Sequence, residues 1–207
     1  MCEGVHLYSL ASVYSAFNAM INIYKALGRN VSDFENNRLK DEKIKKSKIE
    51  MEELQVKIKK YINENMYDEQ KMSYVRNSVD KKMDISILGA VVPFSMFTPK
   101  EKKVKNTIER INLSLRTYTG GFKRFEEDNY MNGNPWPIAN MWMTLYYLES
   151  GEKKKAKETF DFVVKTSANH NFLGEQVSNE NLKTNWVIGL GWSHAMFILV
   201  LEKMLKG

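Results

Sequence analysis

Apolar residues recur at intervals of three and four along nearly the whole of this chain, and no stretch shows a sustained alternation of apolar and polar residues. That period belongs to the α-helix, whose 3.6-residue turn brings such positions onto one face, and not to the two-residue repeat of a strand. Leu7, Leu10, Tyr14, Phe17, Ile21 and Tyr24 form one stripe, and Ala11, Val13, Met20 and Ile23 fill much of the other side. The spacing predicts a first helix buried on more than one face and ended at Gly28. A second helix is expected from a Ser32 or Asp33 cap, with Met51, Leu54, Ile58 and Tyr61 turned inward.

Further along, Met66 to Met83 reads as irregular, and the short apolar run Ile85 to Val92 is read as helix. Pro99 is expected to open a helix carrying Val104, Ile108, Ile111 and Leu115. After a glycine-bearing acidic loop from Thr117 to Gly133, Asn134-Pro135 reads as an N-cap and first-turn proline. The helix it opens would turn Ile138, Met141, Trp142, Leu145 and Tyr146 inward and close at Ser150-Gly151. Ala156, Phe160, Val163 and Val164 mark the next helix, and Gly191 to Leu205 the last. The prediction is an all-α single domain spanning 1–207, built of six or seven helices paired into hairpins around a ring, with the longer polar loops gathered at one end.

Composition narrows the function. The chain has 207 residues and 43% hydrophobic content, enough for one sizeable core. Its one cysteine, Cys2, excludes an intrachain disulfide. The start lacks a basic region followed by an apolar stretch, and no run is long and apolar enough to span a bilayer, so a cytoplasmic protein with no membrane partner is expected. The net charge of +6 invites a polyanion reading, but nine Lys/Arg and five Asp/Glu fall between Arg38 and Lys60. Such a mixed run reads as a solvated helix face laced with ion pairs, so no nucleic-acid partner is expected. His6 and His194 lack a partner at metal-ligand spacing, no phosphate-cradling glycine loop occurs, and no G-x-S-x-G is present. Neither metal nor cofactor is implied.

The polar chemistry gathers in the last third. Glu175 lies in the loop Asn171-Phe172-Leu173-Gly174-Glu175-Gln176, and all four tryptophans, Trp136, Trp142, Trp186 and Trp192, flank that loop in sequence. Indole faces pack on the C–H faces of pyranose rings, and glycosidic hydrolysis is normally run by two carboxyl groups, so Glu175 is a candidate for one of them. A solvated surface glutamate and core tryptophans are the plainer reading of the same residues. Arg124 could hold sugar hydroxyls through its planar fork or pair with Glu126, Glu127 or Asp128; sequence alone slightly favours the pair.

Three segments carry a resemblance. Gly121 to Trp136, reading G-F-K-R-F-E-E-D-N-Y-M-N-G-N-P-W, resembles the G-x-x-R-[FY]-x-x-D-x-Y-x-x-G-N-P-W block of glycoside hydrolase family 15, the glucoamylase and glucodextranase family. Leu173 to Gln176 resembles its L-x-E-Q segment, and Gly191 to Ala195 its W-S-[HY]-A helix start. Gly4 to Ser9 and Asp84-Ile85-Ser86 resemble two further elements of that family. The resemblance implies an (α/α)6 toroid, of which this chain would be the C-terminal half or slightly more. It implies that Glu175 is the general base, Arg124 a ligand of the glucosyl unit and Trp192 an aromatic wall, with Asn134, Pro135 and Trp136 chiefly architectural. The reaction implied is inverting hydrolysis of α-glucans or maltooligosaccharides from non-reducing ends. The family's general acid would fall immediately before Met1, and Glu3 stands at the wrong offset, so a C-terminal fragment is expected. Such a fragment would be weakly folded, pairing with the missing N-terminal half or with itself. A non-catalytic helical carbohydrate-binding or scaffold protein is the alternative.

Overall fold

The computed structural model describes residues 3–30, 38–167 and 171–206, with side chains described for 3–26, 46–167 and 171–206. Its α-helices are α1 (Leu7–Asn30), α2 (Arg38–Asn65), α3 (Lys102–Leu115), α4 (Pro137–Ser150), α5 (Lys153–Lys165) and α6 (Gly191–Lys206). Two antiparallel two-residue hairpins interrupt them: β1 (Tyr67–Asp68) pairs with β2 (Ser73–Tyr74), and β3 (Gln176–Val177) with β4 (Thr184–Asn185). The expectation of an all-α chain holds.

The helices pack in a run of contacts: α1 on the 3-10 turn Ile85–Ala90, that turn on α4, and α4 on α6, with α2 against α1, α5 against α4 and α3 against β2. Among these, α4 touches the 3-10 turn, α5 and α6. Met141 and Met143 are fully buried there, as are Ala139, Asn140 and Thr144, because neighbours cover α4 on every side. The stripe Val104, Ile108, Ile111 and Leu115 of α3 is buried as its spacing requires. Full burial of such aliphatic side chains stabilises by about 1.5–3 kcal/mol each.

Several local expectations are corrected by tertiary contacts. Gly28 does not end α1, which continues to Asn30, and the proposed caps Ser32 and Asp33 lie outside the described residues, as does Cys2. Val13, Met20 and Ile23 of α1 are exposed, so that helix is buried on one face only. The inward stripe of α2 is rotated in part from the expected one: Ile58 packs on the core as expected, but Gln55 and Ile62 are buried while Leu54 and Tyr61 are exposed. The rotation follows from a polar clasp: the Gln55 amide donates to the Tyr14 carbonyl (3.0 Å) and to Asn18 Oδ1 (2.7 Å). Ile85–Ala90 is 3-10 rather than α, capped by Asp84 accepting from the Ser86 amide at 2.8 Å. The α3 helix opens at Lys102, three residues beyond Pro99. In α5 Val164 is exposed while Ala156, Phe160 and Val163 are buried.

The opening of α4 also shifts. Trp136 occupies the N-cap and Pro137 the first turn, where its missing N–H costs nothing. Asn134 is thereby released for another task. At the far end Gly151 takes φ +82° and its amide returns to the Leu148 carbonyl, a left-handed stop that glycine adopts without a Cβ penalty.

Candidate active site

Two segments far apart in sequence are tied together by hydrogen bonds. The first is the Gly121–Trp136 block. Phe122 accepts from the Trp136 amide (2.8 Å), and the Leu115 carbonyl at the end of α3 accepts from Lys123 (3.0 Å). The Ile85 amide donates to the Arg124 carbonyl at 2.7 Å, which sets the 3-10 turn and its Asp84 cap beside Arg124. Gly121 is obligatory here. A Cβ at this position would lie 2.6 Å from Phe162 of α5 and 2.6 Å from Pro135.

Within this block Arg124 is fixed by two kinds of contact. Its Nε and Nη2 donate to the two carboxylate oxygens of Asp128, both at 2.9 Å, and Asp128 is buried. Its guanidinium lies 4.3 Å from the Trp136 ring centroid, with Phe125 and Tyr130 farther out. Planar two-point pairing plus stacking on an indole leaves the fork little freedom. The slight sequence preference for a carboxylate pair was therefore correct, with Asp128 as the partner. Glu126 instead accepts from the Met83 amide (2.9 Å), and Glu127 pairs with Lys82 (2.7 Å).

The second segment carries Glu175. The Glu175 amide donates to the Val187 carbonyl (3.2 Å), and one carboxylate oxygen accepts from Gln176 Nε2 (3.3 Å). Gln176 is fully buried, and its Oε1 accepts from Asn134 Nδ2 at 3.2 Å. Asn134 Oδ1 in turn accepts from the Asn179 amide at 3.0 Å, while Val177 donates to the Pro135 carbonyl at 2.9 Å. A continuous path thus runs from the Glu175 carboxylate through Gln176 to Asn134, two residues before the indole on which Arg124 stacks. Gly174 makes room for it, since a Cβ there would meet Thr184 Cγ2 at 2.6 Å and the Asn185 carbonyl at 2.9 Å.

Helix α6 locks the other flank of the loop. Ser193, buried, donates its hydroxyl to the Gly174 carbonyl (3.1 Å), and His194 Nε2 accepts from the Leu173 amide (3.1 Å). Gly189 and Leu190 both donate to the Leu173 carbonyl. Trp192, one residue before Ser193 in α6, has 57% of its surface exposed. Glu175 and Arg124 are half-buried. Trp142, by contrast, packs inside against Tyr8.

Gln176, Ser193 and His194 fall inside the resembling segments, but sequence reasoning gives none of them a task of its own; the His194 imidazole, which has no partner at metal-ligand spacing, is a loop anchor. Among the described residues no cluster of three or more His, Cys, Asp or Glu could hold a metal ion, and no helix is long and apolar enough to cross a membrane. Open grooves of about 440 Å³ (lined by Glu109, Arg116, Tyr147 and Lys155), about 490 Å³ (beside Pro99, Tyr146 and Glu152) and about 620 Å³ (between α5 and α6) are lined by neither Glu175, Arg124 nor Trp192.

No family model matches the chain. Over 209 aligned residues it is 29% identical to an uncharacterized glycosyl hydrolase of Methanocaldococcus jannaschii, a match covering 95% of this chain and 32% of that protein. It is 28% identical over 134 residues to trehalase 1 of Sulfolobus acidocaldarius, covering 64% of this chain and 24% of the trehalase. The chain spans a third or less of the length of these curated relatives. A wild-type glycosidase structure superposes with a TM-score of 0.79 at 15% identity, over 98% of this chain and 52% of that one. An alanine variant of a glycosidase in complex with glucose gives 0.79 over 99% and 53%. The fold of this chain thus matches about half of these glycosidase structures, and its sequence is similar to one glycosyl hydrolase over nearly its full length and to a trehalase over about two thirds of it.

Proposed function

We propose that this chain is the base-bearing part of a glycosidase of the glucoamylase type, resembling family 15, which hydrolyses α-glucosidic bonds at non-reducing ends with inversion. Glu175 acts as general base, Arg124 as a ligand of the terminal glucosyl unit and Trp192 as an aromatic wall. The observation that carries this reading is the double clamp on the Glu175 loop. Gln176 and Asn134 tie it to the block that fixes Arg124, and Ser193 ties it to the helix that presents Trp192. The similarity to a glycosyl hydrolase and to a trehalase, together with the helical fold shared with a glycosidase in complex with glucose, supports it.

The geometry suits the task. The Gln176 amide occupies one carboxylate oxygen of Glu175 and leaves the other for a water molecule. Arg124 spends Nε and Nη2 on Asp128 and retains further N–H groups for sugar hydroxyls. Glu175 would take the proton of a water attacking the anomeric carbon from the face opposite the leaving oxygen. A carboxylic acid about 6.5–9.5 Å away, contributed from outside these segments, would protonate that oxygen.

The test uses the M. jannaschii glycosyl hydrolase with its 209 matched residues replaced by this chain. Glucose release from maltooligosaccharides is expected, and Glu175→Gln should lower turnover by about 10²–10⁴-fold while leaving oligosaccharide binding in place. Turnover within tenfold of the parent would remove Glu175 from the mechanism. Binding without turnover by the parent would favour the non-catalytic carbohydrate-binding reading.

A further inference from the structure

A tryptophan occupies a place in the Glu175 hairpin where the backbone asks for glycine. The strands β3 and β4 keep a regular register from Ser178, whose amide donates to the Lys183 carbonyl at 2.9 Å, to Gln176, which stands opposite Asn185. The next bond breaks that register. The Glu175 amide reaches the Val187 carbonyl (3.2 Å), so the strand of Glu175 advances one residue while the facing strand advances two. Trp186 is the extra residue, a β-bulge, and its φ of +53° lies in the left-handed region. A bulge with a left-handed residue takes glycine there, and a bulky side chain at such a φ is a backbone outlier.

The surroundings hold this conformation in place. The Thr184 hydroxyl donates to the Thr166 carbonyl at 2.7 Å, and Asn185 Oδ1 accepts from the Trp186 amide at 2.8 Å. Beyond the bulge the Gly189 amide returns to the Leu173 carbonyl at 2.9 Å. Backbone strain persists where contacts on both sides over-determine it, and it collects at functional sites. The indole contributes nothing to that hold. It is 53% exposed, and among the described residues it makes no hydrogen bond and no ring contact.

The bulge opens directly across from the Glu175 backbone. Bulges beside active sites re-aim a side chain, and a bare indole is an apolar plate for the C–H face of a pyranose. We propose that Trp186 is a specificity-determining residue of this site: its indole packs on the terminal glucosyl unit, and the fold keeps a left-handed tryptophan in order to place it beside the base. The proposal rests on the reading of the site as a glucosyl pocket around Glu175.

The test compares Trp186→Ala, Trp186→Gly and Trp186→Phe. Alanine and glycine remove the same indole, so the difference between them reports the backbone. At an ordinary position glycine is the less stable of the two; at a left-handed one the order reverses. Urea denaturation of this chain should give Trp186→Gly a folding equilibrium constant about 5–30-fold above that of Trp186→Ala. Glucose binding is read by titration calorimetry in the M. jannaschii hybrid carrying Glu175→Gln, so that no turnover is required. Trp186→Ala and Trp186→Gly should each weaken it about tenfold, and Trp186→Phe should stay within about threefold of the parent. Alanine as stable as glycine, or more so, would overturn the proposal at the backbone. Glucose affinity unchanged by loss of the indole, or a parent hybrid that binds no glucose, would overturn it at the sugar. Full turnover by Glu175→Gln would instead undo the base assignment and leave the glucose comparison readable.

Discussion

Replacing Asn134 by alanine should uncouple the two halves of the candidate site. Asn134 is 5% exposed and makes two bonds across the gap: its Nδ2 donates to Gln176 Oε1, and its Oδ1 accepts from the Asn179 amide. Alanine strands a fully buried acceptor on Gln176 and a donor on half-buried Asn179. An unsatisfied buried polar group costs about 1–3 kcal/mol, and the Asn179 amide can recover part of its share from water, so the total is about 2–3 kcal/mol. For a chain of this size that lowers the melting temperature by about 4–12 °C. Hydrogen exchange locates the effect. The Val177 amide, bonded to the Pro135 carbonyl at 2.9 Å, should exchange about 30–150-fold faster. Asn134→Asp tests the same path through charge. A carboxylate still accepts from Asn179 but offers nothing to Gln176 Oε1, so the Gln176 amide turns over and presents oxygen to Glu175. Burying that charge at a 5% exposed position should cost at least as much stability as the alanine change, and turnover of the hybrid enzyme should fall further than in Asn134→Gln. An Asn134→Ala variant that melts within about 1 °C of the parent, with Val177 exchange unchanged, would refute the path as drawn.

Two further outcomes follow from the contacts. Gly174→Ala should destabilise by about 1–3 kcal/mol, measured by urea denaturation, because the Asn185 carbonyl 2.9 Å from its Cβ is backbone and cannot swing aside. Gly191→Ala, which meets nothing within 4 Å, should stay within about 0.5 kcal/mol. At low pH, Asp68 is diagnostic: the Lys71 amide foremost, then the Lys81 ammonium and the Gln70 amide, hold its carboxyl below the ordinary 3.8. A carboxyl depressed on folding stabilises fully above its unfolded value and loses that contribution as pH falls through the folded one. Stability followed from pH 5 to about pH 2 should therefore decline less steeply in Asp68→Asn than in the parent, and an identical slope would contradict the assignment.

Local periodicity made the helices legible. The four buried aliphatic residues of α3 and the left-handed stop at Gly151 are decided within a turn or two of chain, so sequence alone suffices for them. Residues whose partners lie far away were less readable. Gln55 rotated the inward face of α2 because Tyr14 and Asn18 were there to receive it, and Asn134 gave up the N-cap for Gln176 and Asn179, more than 40 positions on. The exposed stripe of α1 is apolar at helical spacing and so reads as core; only the folded chain shows that Val13, Met20 and Ile23 stay exposed. At the site, the motifs supply roles for Glu175, Arg124 and Trp192, whereas Gln176, Ser193 and His194 lie in the same motifs without a task that sequence could assign. Nothing in a sequence distinguishes a serine hydroxyl aimed at a carbonyl from one aimed at water.

The knot around Leu173 and Gly174 has a practical corollary for anyone wishing to transplant the carboxylate to another helical scaffold. Leu173 is gripped through both its amide and its carbonyl, and Gly174 through its carbonyl, by groups drawn from 189–194. A graft of the short acidic loop alone would arrive without its moorings. The smallest portable cassette runs from Leu173 to His194, and its recipient must supply an asparagine where Asn134 stands.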